Sequence, residues 1–141
     1  MLKPSIHRTL CDEVAHHPVD LNIRRIGGNG VEILARLIEL KPGSSEQVHD
    51  WAKFISEHRL AALETLRAEG VMIESWFSLS LHDKDYLLCY MRVDSMSRAE
   101  QVAASSSNPV DVYHQQFKVN TWVRGAGCEG KLLVDLHDSK N

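Results

Sequence analysis

Two runs rich in β-branched and aromatic residues, VMIESWFSLSL (71–81) and YLLCYMRV (86–93), are separated only by the polar connector His82-Asp83-Lys84-Asp85. Strand-like runs joined by so short a polar link are typical of an antiparallel hairpin. The chain is therefore restricted to folds in which these two runs lie side by side in one sheet.

A strand and then a long helix are predicted ahead of the hairpin. VEILARLIEL (31–40) is strand-like in composition and ends at Lys41-Pro42-Gly43. After Ser44 or Ser45, either of which can cap a helix, apolar residues recur at three- and four-residue steps. Gly70 suits the left-handed position that follows a helix end. The pattern predicts one continuous helix before Gly70.

The second half of the domain repeats the order of helix and strand. Ser97 with Glu100 matches a capping box ahead of a short Ala-rich helix, and Asn108-Pro109 starts a further helix. The glycine-rich stretch at 125–130 then interrupts the chain before KLLVDLH (131–137), the predicted last strand. The order β-α-β-β-α-β, with the second helix split, predicts an α+β ferredoxin-like fold. Such a fold has a four-stranded antiparallel sheet with helices on one face.

Residues 1–30 differ from the rest of the chain. They contain three of the eight histidines and two of the four prolines, and they end in Gly27-Gly28-Asn29-Gly30. Their weak periodicity predicts an N-terminal arm that is flexible or loosely docked. We therefore expect a single folded domain at 31–141.

Composition excludes several classes of partner. A net charge of −3 with scattered basic residues gives no positive stripe for a phosphate backbone, so we expect no nucleic-acid binding. No run approaches the ~18 apolar residues that cross a bilayer, and the N-terminus lacks the apolar core of a signal peptide. Three cysteines without a CxxC pair fit a reducing compartment. We expect a cytoplasmic protein without a membrane partner.

Side chains alternate between the two faces of a sheet, so each predicted strand supplies one set per face. The most apolar sets are assigned to the side that the helices cover. This side would carry Ile33, Ala35, Leu37, Ile73, Phe77, Leu79, Leu87, Cys89, Met91, Val93, Leu132, Val134 and Leu136.

The opposite face is mixed in character, and its large apolar residues need a cover. It would carry Leu34, Ile38, Trp76, Leu88 and Tyr90 beside charged groups. A second copy of the same sheet is the simplest cover, which predicts a homodimer with two sheets packed face to face. The alternative is a monomer whose N-terminal arm lies across the sheet.

The segments IELKPGSSEQVHDWAKFI, LRAEGVMIESWF, DYLLCYMRV and NPVDVYHQQF occur in this order. Together they resemble a small bacterial family of uncharacterised proteins in the dimeric α+β barrel superfamily, over about residues 31–137. The most specific matches are the segment from Asn108 to Phe117 and the pair Glu74-Ser75. This resemblance implies a dimeric α+β barrel and no assigned activity, because a shared fold does not determine function.

A polar set on the mixed face forms the candidate ligand-binding site. Arginines would hold an anionic or carbonyl-bearing ligand while aromatic rings stack on its flat part. The alternative is a network of salt bridges that lines a dimer interface. The residues of this set are Arg36, Glu74, Trp76, Tyr90, Arg92 and Asp135.

His114 is the candidate catalytic residue, because a histidine near a carboxylate such as Glu74 or Asp111 can act as a general base. A structural histidine, hydrogen-bonded to a strand, is the alternative. The sequence contains no HxH, HxxxH or paired Cys/His spacing of a metal site, and no P-loop or dinucleotide fingerprint. We expect neither a metal nor a cofactor.

Three functions remain open from the sequence. The first is a dimeric α+β barrel that binds a small organic molecule. The second is a cofactor-independent enzyme of the monooxygenase or isomerase type, with His114 as base and Arg36, Arg92 or Tyr90 stabilising an oxyanion. The third is a structural or interaction protein whose polar face serves only as an interface.

Overall fold

The computed structural model describes residues 30–138, so the predicted arm, apart from Gly30, lies outside the described residues. The described elements form an α+β fold in which four strands make one open antiparallel sheet, in the order β2-β3-β1-β4. In chain order they are β1 (Glu32–Leu40), α1 (Ser45–Glu57), α2 (Arg59–Glu69), β2 (Val71–Leu81), β3 (Lys84–Val93), α3 (Met96–Ser105), α4 (Pro109–Thr121) and β4 (Trp122–Glu129).

The predicted hairpin is confirmed, with a tighter turn than the four-residue connector suggests. β2 and β3 pair antiparallel up to Leu81 opposite Lys84, which leaves only His82 and Asp83 in the turn. Both residues have positive φ, 50° and 62°, as a two-residue type I′ turn requires. Lys84 and Asp85 therefore belong to the strand.

The helix predicted before Gly70 is interrupted at His58. This residue has φ −106° and ψ 35°, which ends α1 and precedes α2. Gly70 takes the left-handed conformation at the end of α2, with φ 74°, as predicted.

The two later helices begin with side-chain caps. Ser95, and not Ser97 as predicted, caps α3 by accepting a hydrogen bond from the Arg98 backbone N–H at 3.3 Å. The predicted cap of α4 is confirmed, since Asn108 accepts from the Val110 backbone N–H at 3.0 Å.

The prediction of the last strand was wrong. The fourth strand is Trp122–Glu129, and residues 131–138 have no regular secondary structure. Gly125 and Gly127, two of the three glycines that were interpreted as breakers, belong to the strand. A Cβ at Gly127, whose φ is 102°, would lie 2.1 Å from the Leu37 carbonyl oxygen. Only glycine allows β4 to approach β1 this closely, beside a register shift between Ile38 and Leu40.

The core lies between the helices and one sheet face, here called the inner face. It buries Leu34 and Ile38 of β1 together with Leu87, Cys89 and Val93 of β3. Helix residues pack on these side chains in two adjoining clusters. The prediction that the apolar set of β3 faces the helices is confirmed.

The face assignments of β1 and β2 were wrong by one residue. Ile73 and Phe77, assigned to the core, are 45% and 54% exposed. They lie on the opposite face, here called the outer face, where Ile73 is level with Arg92 and Ile33. Both alternating sets of β1 contain large apolar residues, but the inner set also carries Arg36, so polarity assigned the two sets to the wrong faces.

Among residues 30–138, none of the helices has both the length and the apolar composition needed to span a lipid bilayer.

Candidate functional site

The sheet separates the six predicted ligand-binding residues into two groups. Residues directly opposite each other on neighbouring strands share a face, and Arg36, Cys89 and Trp76 are paired in this way across β1, β3 and β2. Glu74, two residues before Trp76, lies on the same inner face. The other three residues, Tyr90, Arg92 and Asp135, form a hydrogen-bonded group on the outer face.

The outer-face group is internally paired. The Arg92 guanidinium donates to the Tyr90 hydroxyl at 2.7 Å and to the Asp135 carboxylate. Both members of the ion pair are mostly shielded from solvent, with 18% and 16% of their side-chain surfaces exposed. Asp135 thereby fixes the segment that follows β4 to the outer face.

Aromatic side chains from helices and strands meet above the inner face. The ring centroids of Trp51 and Trp76 lie 5.3 Å apart in an edge-to-face arrangement, and Trp51 stacks on Phe117 at 4.6 Å. Trp76 also lies 5.6 Å from His114 and 6.2 Å from Trp122. All three tryptophans of the chain therefore belong to this cluster.

His114 is inside the cluster, where it is neutral. Its Nδ1 lies 3.1 Å from the Trp51 indole nitrogen, which donates the hydrogen bond, so the ring proton is on Nε2. Burial, together with the positive charge of Lys118, lowers the pKa of His114 to about 3. An imidazole in this environment is a weak proton acceptor at neutral pH, and it can donate through Nε2–H.

Glu74 is the carboxylate that the sequence placed near His114, and both contact Trp76. Its Oε1 accepts a hydrogen bond from the Trp76 indole N–H at 2.5 Å. Burial raises the pKa of Glu74, and this hydrogen bond and Lys118 partly oppose the rise.

Sequence reasoning did not select Glu69, and it named Asp111 only as a possible carboxylate partner of His114. Glu69 ends α2, and its pKa is raised to about 7 by burial, followed by the charges of Asp111 and Glu74. Asp111, in the first turn of α4, is only 8% exposed. A first-turn aspartate ordinarily interacts with the helix dipole at the surface, so its burial was not evident from the sequence.

Lys118 was also missed. Its partly buried ammonium lies over the Trp122 ring, with Nζ 5.0 Å from the ring centroid. No aspartate or glutamate of residues 30–138 forms an ion pair with it. Burial, and next the charge of Arg36, lowers the pKa of Lys118. Helical spacing offered a signal, because Asp111, His114 and Lys118 recur at steps of three and four residues on α4.

Two buried N–H donors lack a hydrogen-bond acceptor among the described residues: Arg36 Nη2 and Trp122 Nε1. Glu129 is the only described carboxylate paired with Arg36, at 3.8 Å, which is too long for a hydrogen bond. Each buried donor without a partner costs about 1–3 kcal/mol, so an acceptor that satisfied either of them would be stabilising.

Within the described part of the chain, no three His, Cys, Asp or Glu side chains form a group able to hold a metal ion. The two cysteines described, Cys89 and Cys128, are free. Burial raises the pKa of Cys89 to about 12, so its thiol is protonated and unreactive at neutral pH.

Comparison with known proteins gives one match. No curated protein and no solved structure matches the chain. A family model described as a family of unknown function (DUF6176) matches residues 31–141, which is the whole of the predicted domain. The chain belongs to this family of unknown function, DUF6176.

Proposed function

We propose that the protein binds a small, planar organic acid between the inner face and the helices. The observation that carries this proposal is the pair of buried donors without acceptors, Arg36 Nη2 and Trp122 Nε1, beside a cluster of aromatic rings. A carboxylate or carbonyl oxygen of a ligand would satisfy both donors and offset the cost of burying them.

The surrounding side chains favour a flat ligand with an anionic end. Trp76 and Trp122 offer ring surfaces for stacking, and Lys118 adds a second positive charge near Arg36. Glu74 is engaged by Trp76 and carries a raised pKa, which reduces its repulsion of an anion.

Calorimetric titration with benzoate tests this proposal, with benzylamine as the cationic counterpart of the same shape. We expect saturable binding of benzoate, quenching of tryptophan fluorescence, and no binding of benzylamine. Arg36→Met should weaken benzoate binding by about tenfold or more, because a hydrogen bond to a charged group is lost. Arg92→Met is the matched control, since Arg92 lies on the outer face. Equal affinity for both probes, or no binding of either, would contradict the proposal.

We further propose the ferredoxin-like arrangement and a face-to-face homodimer of the dimeric α+β barrel superfamily. The strand order supports the arrangement, because β1 and β2 flank β3 and each neighbouring pair is antiparallel. The exposed Ile73 and Phe77 on the outer face support the dimer. A cytoplasmic location belongs to the same proposal and is supported by the free thiols of Cys89 and Cys128.

The second candidate is a cofactor-independent isomerase or monooxygenase. The raised pKa of Glu69, about 7, favours this function, because an acid or base works best when its pKa is near the operating pH. His114 would contribute its Nε2–H as a neutral donor, and Arg36 would stabilise an oxyanion. If the protein is an enzyme of this type, Glu69→Gln should lower its turnover and leave its affinity for benzoate unchanged.

A further inference from the structure

We propose that Lys118 is a nucleophilic amine that forms an imine with 2-oxo acids bound at the inner face. This inference rests on the proposed function, because the carboxylate of the oxo acid would occupy the site assigned to an organic acid. It adds a covalent step and a narrower ligand class, in which a ketone or aldehyde carbonyl is adjacent to the carboxylate.

The position of Lys118 suits a nucleophile. Its Nζ lies over the Trp122 ring, and none of the ion pairs among the described residues engages the amine. The unpartnered Trp122 Nε1 belongs to the same ring, so a carboxylate held there would lie close to Nζ. Lysines desolvated beside another cation are the usual imine-forming residues of proteins.

The surroundings of Lys118 favour loss of its ammonium proton more than bulk water does. Burial and the guanidinium of Arg36 lower the pKa of Lys118, whereas Glu74, Cys89 and Glu69 raise it. At neutral pH the contributions of Cys89 and Glu69 are reduced, because the Cys89 thiol is protonated and Glu69 is about half protonated. The titratable groups that interact electrostatically with Lys118 come from several elements: Arg36 of β1, Glu74 of β2, Cys89 of β3, Glu69 of α2, Glu100 of α3, and His114 of its own helix.

The reaction is balanced without a further reactant. The amine nitrogen attacks the carbonyl carbon, and the carbonyl oxygen takes a proton to give a carbinolamine. Loss of that hydroxyl as water, with the remaining N–H proton, leaves a C=N bond between Nζ and the ligand. The neighbouring carboxyl groups of Glu69 and Glu74, whose pKa values are raised, are suited to supply and remove these protons.

Reductive trapping tests the inference. The purified protein is incubated with phenylpyruvate and sodium cyanoborohydride, and peptides are mapped by mass spectrometry. We expect Lys118 to gain the mass of phenylpyruvate less one oxygen atom, with far less product at the exposed Lys53 in the same sample. Lys118→Arg cannot form an imine, so it should lose this product.

The outcomes separate this inference from the proposed function. Binding of phenylpyruvate with no more product at Lys118 than at Lys53 would overturn the imine and leave the organic-acid site intact. No binding of phenylpyruvate or benzoate would overturn both. Product at Lys118 that persists undiminished when excess benzoate competes would also overturn the inference, because the reaction would then not require the inner-face site.

Discussion

Trp51 and His114 are joined by a hydrogen bond that links α1 to α4 across 63 residues of sequence. The indole N–H of Trp51 donates to Nδ1 of His114, and the two rings are stacked with centroids 5.6 Å apart. This bond requires an unprotonated Nδ1, so it is compatible only with the neutral imidazole. The pairing therefore couples the packing of two helices to the protonation of one residue.

A pH dependence of stability follows from the neutral His114. In the unfolded chain the pKa is near 6.5, whereas in the folded protein it is about 3. Between these values the unfolded state binds a proton that the folded state does not, so stability falls as pH is lowered. We expect His114 to contribute a slope of at most about 1.4 kcal/mol per pH unit.

The substitution His114→Gln isolates this contribution, because glutamine does not titrate and its amide oxygen can accept from Trp51. Urea unfolding of both proteins over a pH series should give a shallower loss of stability in the variant below pH 6.5. Parallel curves for the two proteins would show that His114 is protonated equally in the folded and unfolded states.

Glu69 should make the free energy of unfolding depend on pH in the opposite direction. Its folded-state pKa of about 7 lies above the ordinary value of 4.5, so its contribution is complete below pH 4.5 and is lost as pH rises through about 7. Glu69→Gln mimics the protonated form. We expect the variant to exceed the wild type in stability at pH 8 by about 1 kcal/mol, a value reduced to allow for solvent screening of a half-exposed group.

The control for Glu69 is Glu64→Gln, an exposed carboxylate of the same helix. This change should alter the free energy of unfolding by less than about 0.5 kcal/mol at either pH. If the free energy of unfolding rises equally in both variants at pH 8, the effect comes from net charge and not from the burial of Glu69.

Some features of this fold follow from local sequence, and others depend on packing between distant segments. The hairpin at β2 and β3 was predictable because strand-like composition and a polar link coincide there. The side of β1 that faces the helices was not, because Leu34 and Ile38 alternate with Ile33 and Leu37, which are equally apolar. Packing against the helices selects between these sets, and packing depends on the whole chain.

Only some placements of the candidate site residues could be expected from the sequence, because these placements also depend on packing. Arg36, Glu74 and Trp76 share the inner face, where Trp76 contacts His114, whereas Arg92 and Asp135 lie on the outer face. Lys118 was missed because a lysine on a helix is ordinarily solvated. Its burial depends on Trp122, which belongs to a strand that was interpreted as a glycine-rich loop.

Gly127 is expected to be essential for the attachment of β4. In Gly127→Ala the new Cβ would lie 2.1 Å from the Leu37 carbonyl oxygen, so β4 must move away from β1. We expect a loss of more than about 2 kcal/mol in the free energy of unfolding.

Gly43→Ala is the matched control, since φ is also positive, 78°, and no atom lies within 4 Å of the place that the new methyl group would occupy. Its loss should be limited to backbone strain of about 1 kcal/mol. Equal losses in chemical denaturation would exclude a steric role for Gly127.

The outer face provides the test of the dimer. Phe77 is 54% exposed on the outer face of β2, the strand at one edge of the sheet, and burial of such a ring in a two-fold interface would stabilise the assembly by about 1.5–3 kcal/mol per copy. Phe77→Lys would place a charge at that position on both copies, where desolvation and mutual repulsion oppose association. Native mass spectrometry should therefore show a dimer for the wild type and a folded monomer for the variant.

Val112→Lys is the matched control, because Val112 is 55% exposed on α4, away from the sheet face. It should remain dimeric. A wild-type monomer, or dissociation of both variants alike, would mean that the outer face is not the interface.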